Sequence, residues 1–217
     1  MKIETILFDF DGVILDSLQI KEFGFREIFR EFPNEQVERL IQFHRQNGGI
    51  SRFVKIRYFF ETILNRTISD SEVMQYADRF SRIVIEELEN SRYLIPETIQ
   101  FLEKIYRSCN LHIVSGAEEN ELRYLADKLG VSKYFITIEG SPTPKGELVR
   151  NILERYNYSK EKTRLIGDSI NDYQASKENG IRFFGFNNRE LQKLEDIEYI
   201  ESFDLILNSS NFCTKSG

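Results

Sequence analysis

The stretch IETILFDFDG (residues 3–12) decides the reading of this chain. Its short apolar run, Ile6, Leu7 and Phe8, reads as a strand. Asp9 and Asp11 follow directly, with only Phe10 between them. Two carboxylates at that spacing repel each other and resist burial, so positive charge has to stand opposite them.

Outward from this strand the chain divides into two styles. Residues 17–90 show helical patterns and no convincing strand. KEFGFREIFREF (21–32) spaces Phe25, Ile28, Phe29 and Phe32 as one helix face, and FVKIRYFFETIL (53–64) continues in the same manner. SDSEVMQYADRFSRIVIEEL (69–88) opens on a capping signal, and GGIS (48–51) reads as a loop between helices. From Pro96 onward helices and short apolar runs alternate. Helices are expected in PETIQFLEKIYRS (96–108), ENELRYLADKLG (119–130), KGELVRNILERY (145–156) and NDYQASKENG (171–180). Strands are expected in LHIVS (111–115), KYFITI (133–138), TRLIGD (163–168) and IRFFGF (181–186), with DLIL (204–207) as a last edge strand. Such alternation predicts an α/β core, a Rossmann-like parallel sheet with helices on both faces. The core is expected in residues 1–16 and 91–210, interrupted after its first strand by an all-helical cap over residues 17–90, with a loose tail at 211–217.

The bulk composition narrows the function. The chain has 217 residues, 41% hydrophobic and 29% charged, with a net charge of −6, which speaks against a nucleic acid or an anionic membrane as partner. No apolar run reaches membrane-spanning length. Cys109 and Cys213 are far apart without metal-site spacing and suggest reduced thiols and a cytoplasmic location.

In open α/β sheets the site lies beyond the carboxyl ends of the strands. There the predicted strands place Asp9 and Asp11, Ser115 and Gly116, and Asp168 followed by Asp172, while Lys145 opens the helix ahead of Asp168. A carboxylate can attack phosphorus, and a second acid can protonate the leaving oxygen and later take a proton from water. Magnesium accepts hard oxygen ligands and offsets the repulsion between carboxylates. Lysine, serine and backbone N–H groups can hold phosphate oxygens. Each residue also has a plainer reading: an aspartate after a strand is often a cap or turn residue, and Asp172 could be a first-turn helix acid favoured by the dipole.

Taken in order, DFDGVILDS (9–17), IVSG (113–116), a lysine ahead of a helix, and LIGDSINDYQAS (165–176) resemble the four signature motifs of the haloacid-dehalogenase superfamily. In particular they resemble its capped phosphatases of the phosphoglycolate-phosphatase and β-phosphoglucomutase type. The resemblance implies that Asp9 is the nucleophile and Asp11 the general acid/base, with the Asp11 backbone carbonyl also on the metal. It further implies Ser115, Gly116 and Lys145 as phosphate binders, Asp9, Asp11 and Asp168 as magnesium ligands, and Asp172 as an acid orienting waters or the lysine. Gly146 follows Lys145 where the family pattern has proline. The expected activity is magnesium-dependent hydrolysis of a small phosphorylated metabolite, since an acid at Asp11 resembles phosphate-ester chemistry rather than dehalogenation. A sugar phosphomutase and a regulatory module with a residual phosphatase core are the alternatives.

In the cap, GISR (49–52) resembles the β-phosphoglucomutase cap loop, which makes Arg52 a candidate for binding the distal end of the substrate. Lys21, a second candidate for substrate binding, stands where those mutases have histidine, which weakens the mutase reading; the plainer reading of both cations is as solvated cap residues. His112 is expected to be structural, and His44 either faces the site or water.

Overall fold

In the computed structural model, which describes residues 2–208, the opening apolar run forms β1 (Thr5–Phe8), buried along its whole length. Burial on both faces follows from its place in the sheet. The six strands β1, β2 (Asn110–Glu118), β3 (Thr137–Ser141), β4 (Thr163–Gly167), β5 (Arg182–Gly185) and β6 (Glu198–Tyr199) are all parallel, in the order β3-β2-β1-β4-β5-β6. The chain leaves β1 first to one side and later to the other, so β1 flanks the switch point, where crevices open in such sheets.

The period of two divides the sheet's side chains between two apolar layers. Ile6, Phe8, Leu111, Ile113 and Ile166 face one side, covered by α5 (Pro96–Ile105), α6 (Glu119–Lys128) and α9 (Phe203–Asn208). Leu7, Val114, Leu165 and Phe183 face the other, under α7 (Lys145–Tyr156) and α8 (Ile170–Asn179). Gly180 ends α8 in the left-handed region, as its position in the sequence suggests.

Residues between the first strand and Pro96 form α1 (Leu18–Ile28), α2 (Asn34–Gln46), α3 (Arg52–Tyr58) and α4 (Asp70–Leu88). The predicted helix 53–64 changes from α to π geometry at Phe59–Ile63. Phe29 stacks on Phe59 at 4.1 Å there, and Phe32 meets Phe60 edge-on at 5.8 Å. Ser69 and Glu72 close a capping box at the start of α4. The chain crosses into and out of this helical unit side by side, through Ile95 N–H to Ile14 O at 2.9 Å and Asp16 N–H to Tyr93 O at 2.8 Å.

Two strand expectations need correction. DLIL (204–207) lies within α9, and the edge of the sheet is β6. Phe203 decides this: it is buried, stacks on Phe101 at 4.4 Å and packs against Phe186 at 4.8 Å, so a helical turn fills a gap beside α5. Four apolar residues carry too little periodicity to separate the two outcomes. KYFITI (133–138) is also displaced. Ser132–Tyr134 is a 3₁₀ turn whose Tyr134 packs on Tyr106, and the strand runs on through Glu139, Gly140 and Ser141. Glu139 is tolerated in the sheet because Arg155 donates to it at 2.6 Å. The expected tail at 211–217 and Cys213 lie outside the described residues.

Candidate active site

Register brings the first carboxylates together. Phe8 pairs with Ile113 of β2 and Ile166 of β4, so Asp9 leaves the sheet level with Val114 and Gly167. Ser115 and Asp168 lie one residue further on. Gly12 then folds the chain back with φ +74°, and a Cβ there would stand 2.0 Å from Asp168 Oδ2. Glycine is therefore required by the backbone and by the approach of that carboxylate. Carboxylate oxygens of Asp9, Asp168 and Asp172 all lie within 4.8 Å of one another.

Such a cluster holds together only with positive charge. Lys145 Nζ, at the first turn of α7, lies 3.0 Å from Asp9 Oδ1 and also pairs with Asp172. Asp172 serves a helix start as well. Its other oxygen accepts from Ser169 N–H at 3.0 Å and Ser169 Oγ–H at 2.5 Å, closing a capping box on α8. One side chain thus closes the start of α8 and pairs with the lysine that also reaches Asp9. Asp9 Oδ1 also accepts from Phe10 N–H at 2.7 Å, and Oδ2 has no hydrogen-bond partner among the described residues. Burial, and next the charge of Asp172, push the Asp9 pKa up to about 7, because Lys145 is shared between two acids. Burial and the neighbouring Asp9 raise Asp168 well above the carboxylate range. Burial works against the Lys145 ammonium, but the charges of Asp172 and Asp9 outweigh it and raise its pKa. One lysine among three clustered carboxylates, two buried and Asp168 half-buried, leaves negative charge in excess, and a hard divalent cation fits this donor set.

Asp11 turns away from that cluster. Its carboxylate pairs with Lys21 of α1 and accepts from Ser17 Oγ–H at 2.5 Å. Burial raises its pKa, but Lys21, together with the Ser17 hydrogen bond, prevails and the net shift is downward. Lys21 is therefore the counter-ion of the second acid, a role that its place in the sequence does not suggest. Any share of Asp11 in a metal site would have to come from its backbone carbonyl.

The cap closes over this edge through the GGIS loop. A Cβ on Gly116 would stand 2.2 Å from Gly49 O, and one on Gly49 would stand 3.5 Å from Lys145 Nζ, so the loop rests on the site. Ser115 is buried and its Oγ accepts from Ala117 N–H at 3.1 Å. Beneath the cap is a cavity reached by Asp11, Asp168 and Gly116, with Phe25, Phe80 and Leu122 in its wall. Arg52 lines it too, but both its terminal nitrogens donate to Glu121 of α6 at 2.5 Å, tying cap to core. His44 and Lys55 also line the cavity, both almost fully buried. Neither Glu121 nor Lys55 is visible as a site residue in the sequence, because each sits within an ordinary amphipathic helix. A buried lysine at a helical core position is the one available signal. His112 lies away from the site, held by Thr137 at 2.8 Å and Tyr158 at 3.1 Å. No helix among the described residues is long and apolar enough to cross a membrane.

Comparison with known proteins agrees with this geometry. The pyrophosphatase PpaX of Oceanobacillus iheyensis is 27% identical over 214 residues, covering 94% of this chain and 90% of that one. A phosphoglycolate phosphatase of Aquifex aeolicus is 25% identical over 195 residues, 82% of each chain. The β-phosphoglucomutase of Clostridium difficile shares the fold, with a TM-score of 0.74 at 19% identity over 94% of this chain and 93% of that one. The profile of the haloacid dehalogenase-like hydrolases matches residues 6–186, a span containing every carboxylate and lysine of the site. The chain belongs to the haloacid dehalogenase-like hydrolase family.

Proposed function

We propose that this protein is a magnesium-dependent phosphatase that hydrolyses a small phosphorylated metabolite through an aspartyl-phosphate on Asp9. The observation that carries the reading is the state of Asp9: Oδ1 is held by Phe10 N–H and Lys145, and Oδ2 has no hydrogen-bond partner among the described residues, in a carboxylate cluster with Asp168. In the first step Asp9 attacks phosphorus while the ester P–O bond breaks, and Asp11 gives a proton to the departing oxygen. In the second, water attacks the acyl-phosphate, its proton passes to Asp11, and the Asp9–phosphorus bond breaks to release inorganic phosphate. Lys21 and Ser17 favour the ionised form of Asp11, the base of the second step, and the proton it takes from water there is the one it gives to the departing oxygen of the next turnover. Lys145, Ser115 and the backbone at Gly116 would take the non-bridging phosphoryl oxygens.

Asp9 and Asp168 would hold the magnesium ion, which would supply charge neutralisation for the phosphoryl group. Asp172 would stay outside the ligand set, since its oxygens are engaged by Lys145 and Ser169. In this reading residues 17–90 act as a cap over a core formed by the rest, and Arg52 holds the cap shut through Glu121 at the substrate's distal side. The relatives named as acting on pyrophosphate and phosphoglycolate support a small substrate. We infer a cytoplasmic location from the two widely spaced cysteines.

Phosphate release over a panel of metabolites tests the proposal. Asp9→Asn keeps the shape and removes the nucleophile, and turnover is expected to fall by several orders of magnitude. Asp11→Asn should be nearly as damaging with poor leaving groups and less so with p-nitrophenyl phosphate, whose phenolate departs unprotonated. Substantial activity in Asp9→Asn would sink the covalent mechanism. Conversion of glucose 1-phosphate to glucose 6-phosphate would overturn hydrolysis in favour of a mutase.

A further inference from the structure

Three cap cations line the cavity: Lys21, Arg52 and Lys55. The first is matched by Asp11 and the second by Glu121. Lys55, on α3, is matched by no carboxylate among the described residues. It is 3% exposed, and its ammonium donates to His44 Nδ1 at 2.9 Å and Gly48 O at 3.2 Å. An ammonium has three donors, so one N–H is left over. An Nδ1 that accepts from lysine places the imidazole proton on Nε2. That atom is buried without any hydrogen-bond partner, although His44 is itself only 2% exposed and lines the same cavity.

Unused donors of Lys55 and His44, together with the unpartnered Nε–H of Arg52, therefore stand around one cavity. A buried ammonium without a counter-charge is unfavourable, and packing alone would be better served by Met or Leu at this position. The cost shows in the lysine itself, whose pKa burial, and next the charge of Lys21, push down to about 7. The missing partner has to be an acceptor, and the apolar walls formed by Phe25 and Phe80 strengthen any charge pairing made there. Arg52 is the less available cation: both terminal nitrogens of its fork are spent on Glu121, which matches its charge, and its Nε–H alone has no partner among the described residues.

We propose that Lys55, oriented by His44, is the specificity cation of the cavity and binds an anionic oxygen group, carboxylate or phosphate, at the end of the substrate that is not transferred. The inference rests on the phosphatase reading only for the identity of the other end. Lys55 is here a binding residue and His44 a positioning residue.

Calorimetric titration of the full chain with excess magnesium separates the two readings, because it needs no turnover. The probes are phosphonoacetate, methylenediphosphonate and ethylphosphonate, which differ in the group at the second end. At least one doubly anionic probe is expected to bind wild type ten-fold or more tightly than ethylphosphonate, and whichever does so identifies carboxylate or phosphate as the preferred group. Lys55→Met should erase that preference while unfolding at the same or a higher temperature, since it removes an unpaired buried charge. His44→Phe should weaken the preference and His44→Gln, which restores an acceptor for the ammonium, should recover most of it. In turnover, Lys55→Met should lower kcat/KM at least ten-fold more for 2-phosphoglycolate or pyrophosphate than for ethyl phosphate. A wild type without preference, or a variant that weakens all probes equally, overturns the role of Lys55 and leaves the phosphatase reading standing. Failure of wild type to release phosphate from every member of the metabolite panel overturns the phosphatase reading, and the calorimetric preference still decides Lys55.

Discussion

Asp172→Asn is the most informative single change, because one side chain serves a helix cap and a buried ion pair. Its first oxygen pairs with Lys145, and its second accepts from Ser169 N–H and Oγ–H. Asparagine has the same shape but one acceptor oxygen. Turned toward Ser169, it keeps the cap and presents an amide N–H₂ to the lysine ammonium. Turned toward Lys145, it loses the two bonds that start α8. Either way a buried cation loses its nearest counter-charge, which typically costs about 3–5 kcal/mol. Lys145 keeps Asp9 at 3.0 Å, so the lower end applies, about 3 kcal/mol. For a chain of this length that corresponds to a fall of about 6–12 °C in Tm. The released lysine would swing further onto Asp9, so kcat should fall by about 10–100-fold with a small change in magnesium affinity. Thermal unfolding, phosphate release and magnesium titration on one preparation read all three. A variant with unchanged Tm and kcat would refute the reasoning that Asp172 anchors Lys145; a large loss of magnesium affinity would make it a metal ligand instead.

Three further outcomes follow from particular contacts. EDTA should abolish activity and magnesium restore it, with Asp168→Ala raising the magnesium requirement far more than Asp172→Ala; full activity after exhaustive chelation would remove the metal from the mechanism. Gly12→Ala sets a Cβ 2.0 Å from Asp168 Oδ2 at φ +74°, so about 1–2 kcal/mol of backbone strain and a displaced carboxylate are expected, and wild-type magnesium affinity in this variant would contradict the geometry. Burial, and next the charge of Arg155, push His112 down to about 4. The unfolded chain binds this proton near pH 6.5 and the folded one does not, so the stability contributed by neutral His112 is complete above pH 6.5 and declines as the pH falls toward 4. The loss is about 1.4 kcal/mol per pH unit, or about 2 kcal/mol at pH 5, measured as the difference in urea stability between wild type and His112→Gln; parallel pH profiles for the two proteins would show that His112 titrates freely.

How much of this is legible in the sequence differs by kind of interaction. The parallel sheet is readable because each central strand, buried on both faces, carries a short apolar run, as ILF (6–8) and LIG (165–167) do. Strand ends are less so: β3 runs through Glu139, which only its pairing with Arg155 makes tolerable, and DLIL became a helix because Phe203 found Phe101 and Phe186. The acids Asp9, Asp11, Asp168 and Asp172 can be picked out because each follows a strand at the carboxyl edge, and a parallel sheet delivers all such positions to one side. By itself, then, the sequence determined the core fold, the family and the edge at which the acids gather, since those depend on local period and on strand ends. Only the tertiary structure decided that Lys21 neutralises Asp11, that Arg52 is spent on Glu121, and that Lys55 and His44 keep unused donors in the same cavity. Charge compensation depends on which helices come face to face across the cavity, and the period of a single helix does not record what lies opposite.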